Sequence, residues 1–259
     1  MDKKEIIEKI EQKKEFSQIP AADILKAFEQ FDKDYFSDEE KVKKTRDFLR
    51  KVFSGFSGQK LLVFKDRPAE EVLRKHLSTR ERFEHYKEIY PRLLKSFPEK
   101  ISIVDLGCGV NGFSYEFFEK IGKNTDYVGV EAVGQLVDLM NDFFKKKKLA
   151  KKAKAVHASL FEIDKMKKLI GETKRPRVVF LFKVIDSLEK FERNYTKTLL
   201  REIVPLADKV VLSFATQSWA RRRKFFANRK WLIDFIRENF SYTDDFEMAG
   251  ERYLCFEEK

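Results

Sequence analysis

The residues of this chain whose types and spacing best suit chemistry lie in one run, Val104-Asp105-Leu106-Gly107-Cys108-Gly109-Val110-Asn111-Gly112, which closes a short apolar stretch. Glycines at 107 and 109 allow a tight turn and let the backbone approach a ligand where a Cβ would clash. Read literally, Gly107, Gly109 and Gly112 spell G-x-G-x-x-G. Glu131 follows at about the distance of a ribose-binding acid, so an NAD-dependent oxidoreductase has to be weighed. Asp105 argues against that reading, because a dinucleotide loop usually carries an apolar residue there. Glu131 has one job in any nucleoside reading, bidentate acceptance of two ribose hydroxyls. A glycine turn without a ligand leaves Asp105 and Glu131, both at strand ends, unexplained.

The elements that must position these groups are visible in the apolar rhythm. From Ile101 onward, short apolar runs alternate with amphipathic segments. The runs are 101–106, 127–130, 153–156, 178–182, 210–214 and 253–256, and Leu136 to Phe144 and Tyr195 to Ile203 are two of the segments between them. Strands alternating with helices imply parallel βαβ units and a doubly wound α/β sheet of Rossmann-like type, with its ligand site at the carboxyl ends of the central strands. Residues 1–97 read as helices instead, apart from the run Leu61 to Phe64. Ile6, Ile7, Ile10 and Phe16 make one stripe, and Ile24, Leu25, Phe28 and Phe31 a second. Ser37 and Glu40 have the form of a capping box for a third helix, which Gly55 and Gly58 end. The expected organisation is an N-terminal helical domain, 1–97, followed by a catalytic domain, 98–259.

Of the 259 residues 42% are hydrophobic, including 26 Phe, enough for a real core, and the formal net charge of +11 makes a polyanion a natural partner. Met1-Asp2-Lys3-Lys4-Glu5 has no apolar signal run, and nothing approaches the roughly 20 apolar residues of a membrane span, so a soluble cytoplasmic protein is expected. Cys108 and Cys255 make no disulfide framework, and His76, His85 and His157 have no metal-ligand spacing, so no metal is expected.

A carboxylate just before G-x-G resembles motif I of class I methyltransferases, whose cofactor, S-adenosyl-L-methionine, carries a sulfonium and an ammonium and no phosphate. Three further segments extend the likeness. They are His76-Leu77-Ser78-Thr79-Arg80-Glu81-Arg82, Leu181-Phe182-Lys183-Val184-Ile185-Asp186-Ser187-Leu188-Glu189, and Ser213-Phe214-Ala215-Thr216-Gln217-Ser218-Trp219-Ala220-Arg221-Arg222-Arg223-Lys224. Together with Asp105, Cys108, Gly109 and Asn111 they resemble the aminoglycoside-resistance 16S rRNA guanine-N7 methyltransferases over roughly residues 70 to 256.

That resemblance implies a class I methyltransferase fold and a target in the decoding region of the small ribosomal subunit. It gives Arg82 the cofactor's methionine carboxylate, which a guanidinium fork suits. Asp105, Gly107, Gly109, Glu131, Ser159 and Leu160 become the remaining cofactor residues, and Lys183 a target-positioning residue at the carboxyl edge of the fourth strand. A solvated strand end stays open for Lys183, and Thr79 and Glu81 are read as helix caps. The chain departs from the family in several places. Gly112 replaces proline, Asp186-Ser187 replaces Pro-Cys, Ala215, Ala220 and Arg221 replace proline and two glycines, and Ser159 stands where the family has an adenine-binding aspartate.

Methyl transfer is an in-line displacement, so alignment dominates, and guanine N7 offers a lone pair with no proton to remove. No Asn-Pro-Pro-Tyr tetrapeptide follows the fourth strand, and Cys108 lies inside the loop rather than at a base-facing position. RNA contact is expected from Arg221, Arg222, Arg223, Lys224, Arg229 and Lys230, flanked by aromatics; the Lys145 to Lys154 cluster reads equally as RNA contact or a solvated helix end. Two rivals remain: a methyltransferase for another RNA or a small molecule, and a non-catalytic RNA-binding module with a vestigial pocket.

Overall fold

The computed structural model describes residues 2–53, 67–216 and 229–259. Among these residues seven strands form one sheet: β1 Lys100–Leu106, β2 Asn124–Glu131, β3 Ala153–His157, β4 Arg177–Phe182, β5 Lys209–Ala215, β6 Ser241–Met248 and β7 Glu251–Glu257. Their order is β3-β2-β1-β4-β5-β7-β6. β1 to β5 pair in parallel, and β7 runs antiparallel to both β5 and β6. This is the expected doubly wound sheet. The chain leaves β1 toward β2 and β3 and later returns to the other side through β4 and β5, so the switch point lies between β1 and β4. A ligand crevice forms at such a point, beyond the carboxyl ends of the strands.

The central strands are nearly continuous apolar runs because both of their faces are covered: every residue of β4 is buried, and so is all of β1 after Lys100. The six expected strands are all present, extended by one to three residues at their ends. β6 is an addition. Its sequence, Ser-Tyr-Thr-Asp-Asp-Phe-Glu-Met, buries only Phe246 and forms the polar edge of the sheet, so it carries no apolar run to read.

Helices precede the sheet, as expected: Lys3–Glu11, Ala21–Glu29, Asp38–Phe53, Ala69–Lys75, Leu77–Arg82 and Tyr86–Leu94. The Ser37 and Glu40 capping box is formed, with Ser37 N donating to Glu40 at 2.9 Å and Glu40 N to the Ser37 hydroxyl at 3.3 Å. Gly55, Gly58 and the run 61–64 lie outside the described residues. One hydrophobic core runs from Ile10, Ile24, Leu49 and Tyr90 of these helices to Ile103, Phe180 and Tyr253 on one face of the sheet. A second core, with Leu106, Val130, Leu181, Leu199 and Ile236, covers the other face.

The N-terminal helices also reach the carboxyl edge of the sheet. Gly134 N, at the start of the helix Gly134–Lys146, donates to the Gln18 carbonyl at 3.1 Å. Gln30 donates to the carbonyls of Lys190 and Phe191 at 3.2 and 3.0 Å, and Phe48 packs edge-on against Phe191. The first helices thus form one wall of whatever lies beyond the switch point. Among the described residues no helix is long and apolar enough to cross a membrane.

Candidate functional site

A cleft opens at the carboxyl edge of β1, β2 and β4. Its floor is the loop Gly107-Cys108-Gly109. Glu131 and Ala132 flank it after β2, Leu160 and Phe161 after β3, and Phe182, Lys183 and Val184 at the end of β4. Asp23, Val52, Phe53, His76 and Ser78 close it from the N-terminal helices. Gly107 and Gly109 have φ of +71° and +56°, the left-handed region open to glycine. A Cβ on Gly107 would stand 2.5 Å from Val184 Cγ2, and one on Gly109 2.8 Å from His76 Cε1. The third glycine of the literal pattern serves packing instead: a Cβ on Gly112 would meet Phe144 Cζ at 2.7 Å.

Two buried carboxylates organise the loop. Glu131 accepts Gly109 N and Val133 N, both at 2.9 Å, so the end of β2 clamps the glycine loop to the start of the following helix. Burial raises its pKa, and the N–H donors hold it down. Asp105 stands behind the loop, fully buried, and its Oδ2 accepts Asn111 Nδ2 at 2.7 Å and the Tyr127 hydroxyl at 2.9 Å. Its Oδ1 has no hydrogen-bond partner among the described residues. Burial pushes the Asp105 pKa up to about 6, against the pull of Asn111 and Tyr127.

At the β4 end the charges pair with one another. Arg82, 1% exposed, donates to Glu251 at 3.0 and 3.3 Å and to the Ser78 hydroxyl at 3.1 Å, and lies over the Phe182 ring. It stands behind Ser78 rather than on the cleft wall. Lys183, with φ +56°, faces the cleft and pairs with Glu81 and, at 3.3 Å, with Glu251. Glu251 also accepts the Ser213 hydroxyl. The reading of Glu81 as a helix cap is therefore corrected, since Lys183, 102 residues away, takes its carboxylate. Thr79 ties two helices together, donating to the carbonyls of Leu73 at 2.7 Å and His76 at 3.3 Å.

Ser159 is buried beyond β3, where its hydroxyl accepts Phe161 N at 3.0 Å. Leu160 lines the cleft beside it. Arg229 is a second correction. It is buried and bidentate on Asp186, one contact measuring 2.7 Å, with Phe214 under its guanidinium, so it does not present its charge to an RNA surface. Lys230 is exposed and pairs with Asp234 at 2.9 Å. Arg221, Arg222, Arg223 and Lys224 lie outside the described residues. The lysines of the 145–154 cluster are exposed.

Two site residues escaped the sequence reading, Asp23 and Glu251. Asp23 had a signal: it occupies the buried face of Ala21–Glu29 beside Ile24, Ala27 and Phe28, where an acid needs a reason. Glu251 had none, because the residue it neutralises is 169 positions away. Among the described residues no group of three or more His, Cys, Asp and Glu is placed to hold a metal ion.

Comparison with known proteins follows the same lines. Residues 65–238 match the family model described as ribosomal RNA methyltransferase (FmrO). A stretch of 61 residues is 36% identical to the 16S rRNA (guanine(1405)-N(7))-methyltransferase of Proteus mirabilis, covering 24% of this chain and 22% of that protein. The 16S rRNA methyltransferase RmtF, solved with S-adenosyl-L-homocysteine, superposes with a TM-score of 0.76 at 18% identity, with both chains covered in full. An rRNA methylase from Escherichia coli gives 0.80 at 15% over the whole of both chains. The 16S rRNA methylase RmtB gives 0.79 at 15%, covering 100% of this chain and 99% of that one. At these identities the structural likenesses establish the fold.

The charge network makes two predictions. Glu251→Gln leaves Arg82 buried without its counter-charge, so urea denaturation should show a loss of about 3–5 kcal/mol; an unchanged midpoint and slope would mean that the pair carries no stability. Asp105 binds its proton more tightly folded than unfolded, so its ionisation destabilises the fold as pH rises through the interval from 3.8 to about 6. Asp105→Asn should therefore gain on the wild type by up to roughly 3 kcal/mol between about pH 4 and pH 6, with no further change above. A pH-independent difference would refute it.

Proposed function

Because the chain belongs to the ribosomal RNA methyltransferase (FmrO) family, we propose that it transfers a methyl group from S-adenosyl-L-methionine to guanine N7 in 16S rRNA of the small ribosomal subunit. The observation that carries this reading is the cleft at the β1/β4 switch point, floored by a tight two-glycine loop where a Cβ would strike Val184 or His76, with Glu131 on its rim and the buried Asp105 behind it. Its lining of apolar side chains with a few convergent polar groups is of the kind that holds a nucleoside. Two carboxylates on its wall, Asp23 and Glu131, favour a cationic ligand over a pyrophosphate, which speaks against the NAD alternative.

When bound, the cofactor supplies an electrophilic methyl group, and the protein's task is to align the acceptor with it. Glu131 accepts the ribose hydroxyls, Gly107 and Gly109 admit close approach, and Leu160 and Ser159 bound the base. The family resemblance gives Arg82 the methionine carboxylate, but its guanidinium is taken up by Glu251 and Ser78, so its part here is to hold the Ser78 hydroxyl on the cleft wall. Lys183, held by Glu81 and Glu251, orients the target at the mouth.

No residue is required to take a proton from guanine N7, and those present fit that chemistry. Burial raises the Cys108 thiol well above its ordinary pKa, so it is no thiolate nucleophile. Burial and the charge of Arg82 lower the His76 imidazole to about 3. Lys230, the exposed lysines of 145–154 and Arg221 to Lys224 are proposed to contact rRNA, a cytoplasmic target whose methylation in the decoding region would confer aminoglycoside resistance.

Labelled methyl from S-adenosyl-L-methionine should pass to purified small subunits in preference to naked rRNA or tRNA. Borohydride reduction and aniline treatment should then cleave the modified strand at one guanine. Transfer without that cleavage would exclude N7. Glu131→Gln should weaken binding of S-adenosyl-L-methionine in calorimetric titration by about 10- to 100-fold, the worth of charge-assisted hydrogen bonds. Equal affinity in the two proteins would place the ribose elsewhere, and a wild type that binds no cofactor would favour a vestigial pocket.

A further inference from the structure

Asp23 is 4% exposed, sits on the cleft wall beside Leu160 and Phe161, and belongs to an N-terminal helix rather than to the sheet. Its Oδ2 has no hydrogen-bond partner among the described residues. The acids that face it, Glu131 at the end of β2 and Glu162 after β3, repel it, and the Ser159 hydroxyl is the neighbour that holds its charge. Burial is the largest influence, and the carboxyl is pushed up to about 7. A buried acid facing two others is a cost to the fold unless something polar meets it.

The rest of the cleft fixes what that partner is, on the cofactor reading given above. A ribose on Glu131 leaves two directions for the remainder of the molecule. The β4 end, with Lys183 at its mouth, is where the target enters and the methyl group must point. The base therefore extends the other way, past Ala132 toward Leu160 and Phe161, where the walls are apolar and suit a purine ring. Among the described residues that line that end, Asp23 has a carboxylate oxygen left unsatisfied, while Ser159 already accepts Phe161 N.

We propose that Asp23 accepts a hydrogen bond from the exocyclic amino group of the cofactor's adenine, so that the N-terminal helix, rather than the loop after β3, reads the base. Ser159 steadies the carboxylate. The helix Ala21–Glu29 is thereby part of the cofactor site.

The test is calorimetric titration of the full chain with S-adenosyl-L-homocysteine and with its purine-riboside analogue, which carries hydrogen in place of the 6-amino group. The wild type should prefer the amino compound by about 10- to 100-fold, as expected for a hydrogen bond to a charged acceptor. Asp23→Ala should lose affinity for that compound by a similar factor and keep its affinity for the analogue, so that the preference disappears. Equal binding of the two ligands by the wild type would overturn the proposal without any variant, so a failure of Asp23→Ala to fold leaves it decidable. A folded Asp23→Ala that retains the preference would overturn it as well. A wild type that binds neither ligand would instead remove the cofactor reading on which the proposal rests.

Discussion

Asp23 and Glu131 line one cleft and Asp105 stands behind its floor, and burial raises the pKa of all three. Carboxylates in that position must be held by donors or shed their charge. Glu131 is held by two backbone N–H groups, and those contacts set the course of the glycine loop and the start of the next helix. Asp105 is held on one oxygen by Asn111 and Tyr127, and Asn111 in turn accepts the Tyr86 hydroxyl at 2.7 Å. The geometry of the loop is thus a consequence of solvating two acids with the protein's own dipoles.

The same constraint binds the helical segment to the sheet. Among the described residues around the cleft, the paired cations stand at the β4 end, where Arg82 and Lys183 share Glu251 and Lys183 also takes Glu81. Arg82 and Glu81 come from the helix Leu77–Arg82, Lys183 follows β4, and Glu251 begins β7. One cluster therefore joins three parts of the chain. With partners at 1% and 0% side-chain exposure, the Arg82–Glu251 pair is secure only while the helix stays docked. Acids at the β3 end and paired charges at the β4 end give the cleft a direction, and a ligand with a cationic centre and a polar base has a preferred way to lie in it.

The parts of this arrangement legible in the sequence are those encoded locally. Continuous apolar runs located β1 to β5 and β7, and Gly107, Gly109 and Glu131 announced the cleft by type and spacing. β6 escaped because an edge strand with Asp244, Asp245 and Glu247 has no apolar run. The charged residues were least legible, since their partners are set by the fold. Arg229 reads as surface within a basic run, yet Asp186, 43 residues earlier, takes its guanidinium. Glu81 reads as a cap until β4 brings Lys183 to it. The charge of such a residue is plain in the sequence, but its destination is a property of the whole sheet.

The Asp186–Arg229 pair bears on the chemistry at the mouth of the cleft. Asp186 departs from the family pattern three residues past Lys183, and a bare carboxylate there would repel a phosphate and offer a base. Bidentate pairing with a buried guanidinium neutralises it and fixes its oxygens. With the Cys108 thiol pushed up and the His76 imidazole pushed down, neither of these groups of the described site is suited to take a proton at the β4 end, where Lys183 stands paired with Glu81 and Glu251. A site of that kind serves an acceptor that arrives with its lone pair already available. On this reading, guanine N7 meets the requirement, whereas an exocyclic amine or a ring carbon would need help that these residues do not give.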